Sequence, residues 1–211
     1  RAGAPLLELK LEIDSIEYLD LRNDCEAQLQ RIVGEFIVGE NDDSLASVVV
    51  ELLQKRQQQI TVAESCTGGM IASQITGVSG VSSVFEAGFI TYSNAIKQQI
   101  LGVDSDLIEQ YGSVSEDVVR AMALGALDSA SADCVIAVSG IAGPKGGTAE
   151  KPVGTVWIAW GSRENLQAKR FNYPVGRQFF QTMISALALD LVRRFLLGST
   201  SLPDYFQRKL R

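Results

Sequence analysis

The stretch ITVAESCTGGMIASQIT, residues 60–76, decides the fold that this sequence predicts. Its first four residues, ITVA, have the composition of a short buried strand. The glycines that follow form a turn, and we predict a helix from about residue 68 to residue 76. A strand, a Gly-rich turn and a helix in this order indicate an α/β protein.

The same alternation continues downstream of this stretch. Gly102 is suited to the left-handed position that ends a helix, and Ser115 is suited to an N-cap because acidic residues follow it in the first turn. Together these signals predict an α/β fold with a mixed, partly parallel sheet flanked by helices. We predict strands at 85–92, 133–139, 154–160 and 166–172, and helices at 94–101, from residue 115 and at about 177–197.

A smaller unit precedes the main fold. Residues 6–13, LLELKLEI, alternate between apolar and charged side chains, which is the pattern of a half-buried strand. Apolar residues at helical spacing within 24–36 predict a helix, and residues 36–39, FIVG, predict a short return strand. These elements would form a small N-terminal β-α-β appendage, too short to hold a large core alone.

A polar break at residues 40–43 separates the two parts of the chain. Ser44 can cap the next helix, whose apolar residues form a single stripe. We therefore predict a small unit at 1–43, a main domain at 44–197 and an exposed tail at 198–211. Because the chain begins with Arg1 rather than methionine, we expect a fragment of a longer protein.

The chain of 211 residues contains no histidine. Its composition therefore excludes a Ser-His-Asp or Cys-His triad, a His-ligated zinc and an imidazole proton shuttle. If the protein is an enzyme, lysine, tyrosine, carboxylate or backbone groups must take the roles that histidine has in those sites. The 19 basic and 25 acidic side chains give a net charge of −6, so we expect no nucleic-acid partner.

The cysteines and the apolar runs indicate the cellular compartment of the protein. Three widely spaced cysteines without a CxxC pair fit a reducing compartment better than a disulfide scaffold, so we expect a cytoplasmic protein. No apolar run approaches the roughly 18 residues that a membrane span needs. We therefore expect no membrane partner.

Two Gly-rich turns follow predicted strands, at residues 65–69 and 139–144. Unpaired amides at such a turn can bind a phosphate or a developing oxyanion. A tight turn that merely needs glycine explains each of them equally well. Neither turn contains the Gly-Lys-Ser/Thr sequence of a phosphate-binding loop, which argues against an ATPase of that kind.

Without histidine, a base must be sought among lysines. Lys97 lies on the predicted helix that follows Tyr92, and it can act as a base if burial lowers its pKa. An ordinary solvated helix lysine is the alternative interpretation. Cys66 fits small buried packing better than a reactive thiolate, and Ser82 fits a turn residue better than a nucleophile.

Five motifs follow one another along the chain: AESCTGG at 63–69, FEAGFITYSNAIKQQILGV at 85–103, YGSVSEDVV at 111–119, SGIAGPKGGTAEKPVGTVW at 139–157 and GR at 176–177. This ordered set resembles the CinA C-terminal domain family, the competence/damage-inducible proteins whose members include nicotinamide mononucleotide deamidases. The similarity covers roughly 44–197, and residues 6–40 resemble the small domain that precedes this domain in longer members.

The resemblance implies hydrolysis of the mononucleotide's carboxamide to nicotinic acid mononucleotide and ammonia, a step of NAD recycling. It implies a serine that pairs with Lys97, with Tyr92 close by. Ser82 and Ser65 both match serines of the family motifs, and we favour Ser82 as nucleophile with Ser65 in substrate binding. The residues implied to bind substrate are Thr67, Gly68, Gly69, Asn94, Ser139, Gly140 and Arg177.

Arg177 is implied to meet the substrate phosphate, to which a guanidinium fork is well suited. Many members have Gly-Asp-Arg at this point, whereas this chain has Val175-Gly176-Arg177 with no aspartate, so no aspartate is available to support the arginine. We expect a homodimer, as is common in the family, and neither a metal nor a cofactor. The alternatives are a catalytically silent domain that binds a nucleotide or partner protein, and a Ser-Lys peptidase.

Overall fold

The computed structural model describes residues 2–3 and 6–199. These residues divide into two compact units, one ending at Ser44 and one beginning at Leu45. Most of the predicted tail at 198–211, from residue 200 onward, lies outside the described residues.

The N-terminal unit is small, and none of its residues from 6 to 44 is buried. Strands β1 (Ala2–Gly3) and β2 (Leu6–Leu7) form an antiparallel pair. After a 3-10 turn at Ile16–Tyr18, helix α1 (Leu19–Val33) leads into a second 3-10 turn at Gly34–Phe36. The helix that the spacing within 24–36 predicted is confirmed, and it begins earlier than expected.

The strands predicted for this unit were largely wrong. Only the first two residues of the 6–13 stretch pair with another strand, and Leu9 and Leu11 stay exposed. The return strand predicted at 36–39 is replaced by the end of a 3-10 turn and irregular chain. Alternating side chains produce a strand only where a neighbour supplies hydrogen bonds, and the described part of this unit offers none beyond residue 7.

The C-terminal unit is built on a five-stranded sheet in the order β4-β3-β5-β6-β7. The first three of these strands run parallel to one another, and β6 and β7 are antiparallel to their neighbours. The mixed, partly parallel sheet that the sequence predicted is thereby confirmed. The strands are β3 (Ile60–Glu64), β4 (Phe85–Ile90), β5 (Cys134–Gly140), β6 (Thr155–Gly161) and β7 (Leu166–Asn172).

Helices cover both faces of this sheet. Helix α6 packs against the strands together with α4 and α5, whereas α7 packs with α2 and α3. As predicted, Gly102 ends α4 in a left-handed conformation and the Ser115 side chain caps α6. The helices are α2 (Leu45–Arg56), α3 (Met70–Thr76), α4 (Asn94–Leu101), α5 (Ser105–Tyr111), α6 (Glu116–Ala130) and α7 (Arg177–Leu196).

Helices α4 and α6 meet at a glycine. A Cβ atom on Gly125 of α6 would overlap the carbonyl oxygen of Leu101, the last residue of α4. Because only a hydrogen atom stands there, the end of α4 rests directly on the backbone of α6.

Helix α7 is buried along most of its length and carries charges into the interior. The Asp190 carboxylate pairs with Arg193 at 2.7 Å and with Arg194 at 2.8 Å, and all three side chains are buried. Buried charges persist where they are paired and hydrogen-bonded in this way. Across residues 2–3 and 6–199, no helix is both long and apolar enough to cross a membrane.

Candidate active site

The candidate site lies where three parallel strands end together. Glu64, the last residue of β3, is in register with Ile90 of β4 and Val138 of β5. The chain then leaves the sheet in the turn 65–69, in the connection 91–93 and in the long loop 141–154. Ligand crevices in α/β sheets form at this carboxyl edge of the strands.

Ser65 and Lys97 meet at this edge. Ser65 directly follows β3 and is 9% exposed, and Lys97 lies on the first turn of α4 and is 1% exposed. The Nζ atom of Lys97 lies 3.3 Å from Ser65 Oγ. The amine also donates to the carbonyl oxygen of Thr91 at 2.9 Å and contacts that of Tyr92 at 3.5 Å. The structure thus forms a serine–lysine pair in an almost water-free position.

The surroundings of Lys97 favour its neutral form. Burial lowers the pKa of the amine below its ordinary value of 10.5. No carboxylate forms an ion pair with Lys97 among the described residues. Two N–H bonds of a neutral amine can serve the two carbonyls, which leaves its lone pair to accept the hydroxyl proton of Ser65.

Cys66 supplies no counter-charge to the lysine. A thiolate there would raise the pKa of Lys97, but burial raises the pKa of the Cys66 thiol itself to about 12. The thiol therefore stays protonated at neutral pH. This agrees with the sequence interpretation of Cys66 as buried packing.

The Gly-rich turn is arranged differently from the prediction. The Gly68 amide donates to the carbonyl of Ser65 at 3.2 Å, and the Gly69 amide donates to the Glu64 carboxylate at 3.0 Å. Both amides that were predicted to bind substrate thus already have partners inside the turn. Both glycines have positive φ, 65° and 98°, so their role is to let the chain turn.

Two other amides of the same turn have no partner elsewhere in the described chain. The backbone N–H groups of Cys66 and Thr67 donate to no other residue among those described. They directly follow Ser65, a position from which backbone N–H groups can donate to an oxyanion on a serine-bound carbonyl. The Thr67 side chain is 2% exposed, and its hydroxyl also lacks a partner among the residues that the structure describes.

Arg177 and Tyr92 border the outer side of the site. The guanidinium of Arg177, at the start of α7, donates to the Tyr92 hydroxyl at 2.7 Å and to the Gly143 carbonyl at 3.1 Å. The Tyr92 side chain is 60% exposed. Arg177 also lines an open, mostly apolar cleft of about 480 Å³, together with Ala142, Pro144, Val153, Pro174, Val175 and Gly176.

Ser82 lies far from this site. It is exposed in a 3-10 turn, Val81–Ser83, that precedes β4, whereas Lys97 follows the other end of that strand. A strand of six residues spans about 20 Å at 3.3 Å per residue. The predicted pairing of Ser82 with Lys97 is therefore wrong within this chain, and Ser65 is the serine that the fold brings to the lysine.

The remaining predicted residues take different positions. Ser139 is buried and donates to the Ser113 carbonyl at 2.7 Å, so its hydroxyl already has a partner. Gly140 lies below the turn, where a Cβ atom would come within 3.0 Å of the Cys66 sulfur. Asn94 is exposed at the start of α4. The Ser139 hydroxyl is thus engaged by the backbone, and Gly140 packs closely against Cys66.

Two polar residues of the site were not predicted. The buried Glu64 carboxylate binds amides of the turn and of α3, and Gln181 of α7 donates to the Cys66 carbonyl at 2.8 Å. An acidic residue directly after the buried run ITVA was a signal for Glu64, whereas no local pattern marks Gln181. Among the described residues, no group of three or more Cys, Asp or Glu could hold a metal ion.

Comparison with known sequences identifies relatives of this chain. A family model described as the CinA C-terminal domain matches residues 42–196. A CinA-like protein of Colwellia psychrerythraea is 48% identical over 99% of this chain, and one of Shewanella sediminis is 40% identical over 97%. In each case the alignment spans 49% of the relative, so the chain covers about half the length of these curated proteins.

Comparison with solved structures gives the same result. The competence/damage-inducible protein of Agrobacterium tumefaciens matches 72% of this chain and 93% of its own, with 37% identity and a TM-score of 0.70. A CinA superfamily protein of Escherichia coli matches 78% of this chain and 98% of its own, with 31% identity and a TM-score of 0.68.

Proposed function

Because the chain belongs to the CinA C-terminal domain family, we propose that it is an amidohydrolase that deamidates nicotinamide mononucleotide. The products are nicotinic acid mononucleotide and ammonia. The observation that carries the proposal is the buried pair of Ser65 and Lys97, 3.3 Å apart. A hydroxyl beside an amine with a lowered pKa is an activated nucleophile that needs neither histidine nor a metal ion.

The chemistry proceeds through a serine ester. Neutral Lys97 accepts the hydroxyl proton as Ser65 Oγ attacks the carboxamide carbon, and the Cys66 and Thr67 amides donate to the oxyanion. The lysine ammonium then gives that proton to the amide nitrogen, the C–N bond breaks and ammonia leaves. Water attacks the ester, Lys97 takes its proton and returns it to Oγ, and the carboxylic acid is released.

Arg177 is the proposed phosphate-binding residue. Its guanidinium has five N–H donors, of which the structure shows one on Tyr92 and one on Gly143. These two bonds hold the fork at the edge of the apolar cleft and leave further donors for a phosphate. With a net charge of −6 the chain has no general positive field, so the phosphate depends on this local cation.

A catalytically silent domain that binds a nucleotide is the second candidate. The observation that favours it is the sequence Val175-Gly176-Arg177, which lacks the aspartate of the Gly-Asp-Arg motif that many family members have. Under this proposal the cleft retains the nucleotide, and no turnover follows.

The test is ammonia release from nicotinamide mononucleotide by the purified chain with a chelator present. Turnover that is lost in Ser65→Ala supports the amidohydrolase. No turnover in the wild-type chain, with the mononucleotide still bound in calorimetry, supports the silent domain. Cleavage of peptides without nucleotide turnover would instead favour a Ser-Lys peptidase.

The proposal includes a homodimer in the cytoplasm. The dimer is carried over from the family resemblance, and light scattering of the purified chain tests it. Support for the reducing compartment comes from the cysteines, because Cys25, Cys66 and Cys134 are all free.

A further inference from the structure

The carboxylate of Glu64 accepts hydrogen bonds from the far end of the turn 65–69, which begins with Ser65. Glu64 is fully buried and directly precedes Ser65. Its Oε2 atom accepts from the Gly69 amide at 3.0 Å and from the Ile71 amide at 3.2 Å, and its Oε1 atom accepts from the Ala72 amide at 2.8 Å. One side chain thus connects the residue before the turn to the residues where the turn ends.

The backbone of Glu64 is fixed as firmly as its side chain. Glu64 pairs with Val138 of β5 on one side and with Ile90 of β4 on the other, and its carbonyl accepts from the Thr91 amide at 2.9 Å. The carboxylate is therefore a rigid bridge between the centre of the sheet and the start of α3. The segment 65–69 is a closed loop held at both ends by one residue.

We propose that Glu64 is the positioning residue of the nucleophile, an internal anion that holds the turn so that Ser65 faces Lys97. This inference rests on the proposed function. By accepting from the amides of Gly69, Ile71 and Ala72, the carboxylate fixes the end of the turn, while the amides of Cys66 and Thr67 donate to no other described residue.

A cap of helix α3 alone would not require this arrangement. A neutral serine or threonine is sufficient to cap a helix, whereas a buried carboxylate is costly unless several donors satisfy it. Among the described residues, no lysine or arginine pairs with Glu64, so the three amides satisfy it. Bonds to an ionised acceptor are about twice as strong as neutral ones, which makes the turn stiff.

The substitution Glu64→Gln distinguishes a role in positioning Ser65 from a role in capping helix α3 alone. Glu64→Gln keeps the size of the side chain, but it offers one oxygen where two are used and places an NH₂ group against an amide donor. The matched control is Ile158→Val, a fully buried change on β6, two strands away from Glu64 in the sheet, which typically lowers stability by about 1 kcal/mol. Comparing the activities of two variants that lose the same stability separates the effect of the turn geometry on activity from the effect of destabilisation.

The experiment measures three quantities for each variant. They are kcat and KM for nicotinamide mononucleotide, the melting temperature, and the rate at which a fluorophosphonate probe labels Ser65, followed by mass spectrometry. We expect Glu64→Gln to lower kcat about a hundredfold, the cost of a displacement near 1 Å, with KM unchanged. The labelling rate should fall in parallel, and Ile158→Val should keep both rates. Glu64→Asp, which keeps the charge with a shorter reach, should fall between the two.

Several outcomes overturn the inference. They are Glu64→Gln with wild-type kcat and labelling, Glu64→Gln that raises KM while keeping kcat, and Ile158→Val that loses as much activity as Glu64→Gln. If Glu64→Gln does not fold, Glu64→Asp with wild-type rates overturns it as well. A wild-type chain that is labelled at Ser65 but releases no ammonia contradicts the proposed function, and the labelling rates then decide on Glu64. A wild-type chain that is neither labelled nor active overturns both proposals.

Discussion

Lys97 Nζ lies 3.3 Å from Ser65 Oγ although 32 residues separate them in sequence. The parallel pairing of β3 with β4 brings them together, because Glu64 and Ile90 are in register and each strand delivers its next residues to the same edge. The serine leaves the sheet at once, whereas the lysine returns on the first turn of α4. Both therefore converge on one buried point.

Removal of either member of this pair should abolish turnover. We expect Ser65→Ala and Lys97→Met each to lower kcat by at least about a thousandfold, as for other nucleophile and base deletions. Lys97→Met should not lower the melting temperature, because methionine removes an amine that is buried without a carboxylate partner. Ammonia release and thermal unfolding measure the two effects.

Ser82→Ala is the matched control for Ser65→Ala. Its hydroxyl is exposed at the opposite end of β4, so we expect wild-type turnover. A Ser82→Ala variant without activity, beside an active Ser65→Ala variant, would contradict our assignment of the nucleophile.

The activity should depend on pH through Lys97. The base works as the neutral amine, and burial lowers its pKa below 10.5. The value of kcat/KM should therefore rise with pH up to this lowered pKa and then become constant. A pH–rate profile measures it. An activity that stays constant as the pH falls from neutral to the stability limit of the fold would show that Lys97 is not the base.

The free energy of unfolding should also rise with pH because of Lys97. Between the lowered pKa of Lys97 and 10.5, the unfolded chain binds a proton that the folded chain does not, so the free energy of unfolding rises with pH. The advantage of Lys97→Met over wild type should be largest below the lowered pKa and disappear above 10.5. Denaturant titrations of both proteins across this range give the difference, in which other titrating groups cancel.

The cysteines should differ in reactivity. Burial raises the pKa of Cys66 to about 12 and that of Cys134 to about 11, so neither forms a thiolate near pH 8. Cys25 is partly exposed. We expect iodoacetamide to modify Cys25 alone in the native protein and all three cysteines after denaturation. Peptide mass mapping gives the sites, and alkylation of native Cys66 would be the contradictory result.

Arg177 should set the preference for a phosphorylated substrate. A charged hydrogen bond contributes about 1.5–3 kcal/mol, so wild type should favour nicotinamide mononucleotide over the riboside by roughly tenfold to a hundredfold in kcat/KM. Arg177→Ala should reduce this ratio to about one while it leaves riboside turnover unchanged. Arg170→Ala, on the exposed part of β7, is the control and should keep the wild-type ratio.

Features with local causes were predictable from the sequence. Helix α4 ends at Gly102 and helix α6 begins after Ser115, as their capping chemistry indicated. Helix α5 was missed although Asp104 caps it, because seven residues carry little periodicity. The stretch 6–13 shows the opposite case, since its alternation was clear but strand formation depends on a distant partner.

The site depended on relations that no local pattern contains. Ser65 and Ser82 both match family serines, and only the register of β3 and β4 shows which one meets Lys97. The amides of Gly68 and Gly69 looked available because glycines mark such sites. Their partners are the Ser65 carbonyl and the Glu64 side chain, and three-dimensional geometry alone reveals them.

The contact of Gly125 with Leu101 ties the position of Lys97 to the packing of two helices. Helix α4 carries Lys97 on its first turn, and its last residue lies against the backbone of α6. A methyl group at position 125 would overlap that residue and displace α4 from α6. Under the proposed mechanism, a substitution at this contact would therefore lengthen the distance between the lysine amine and the serine hydroxyl without touching either of them.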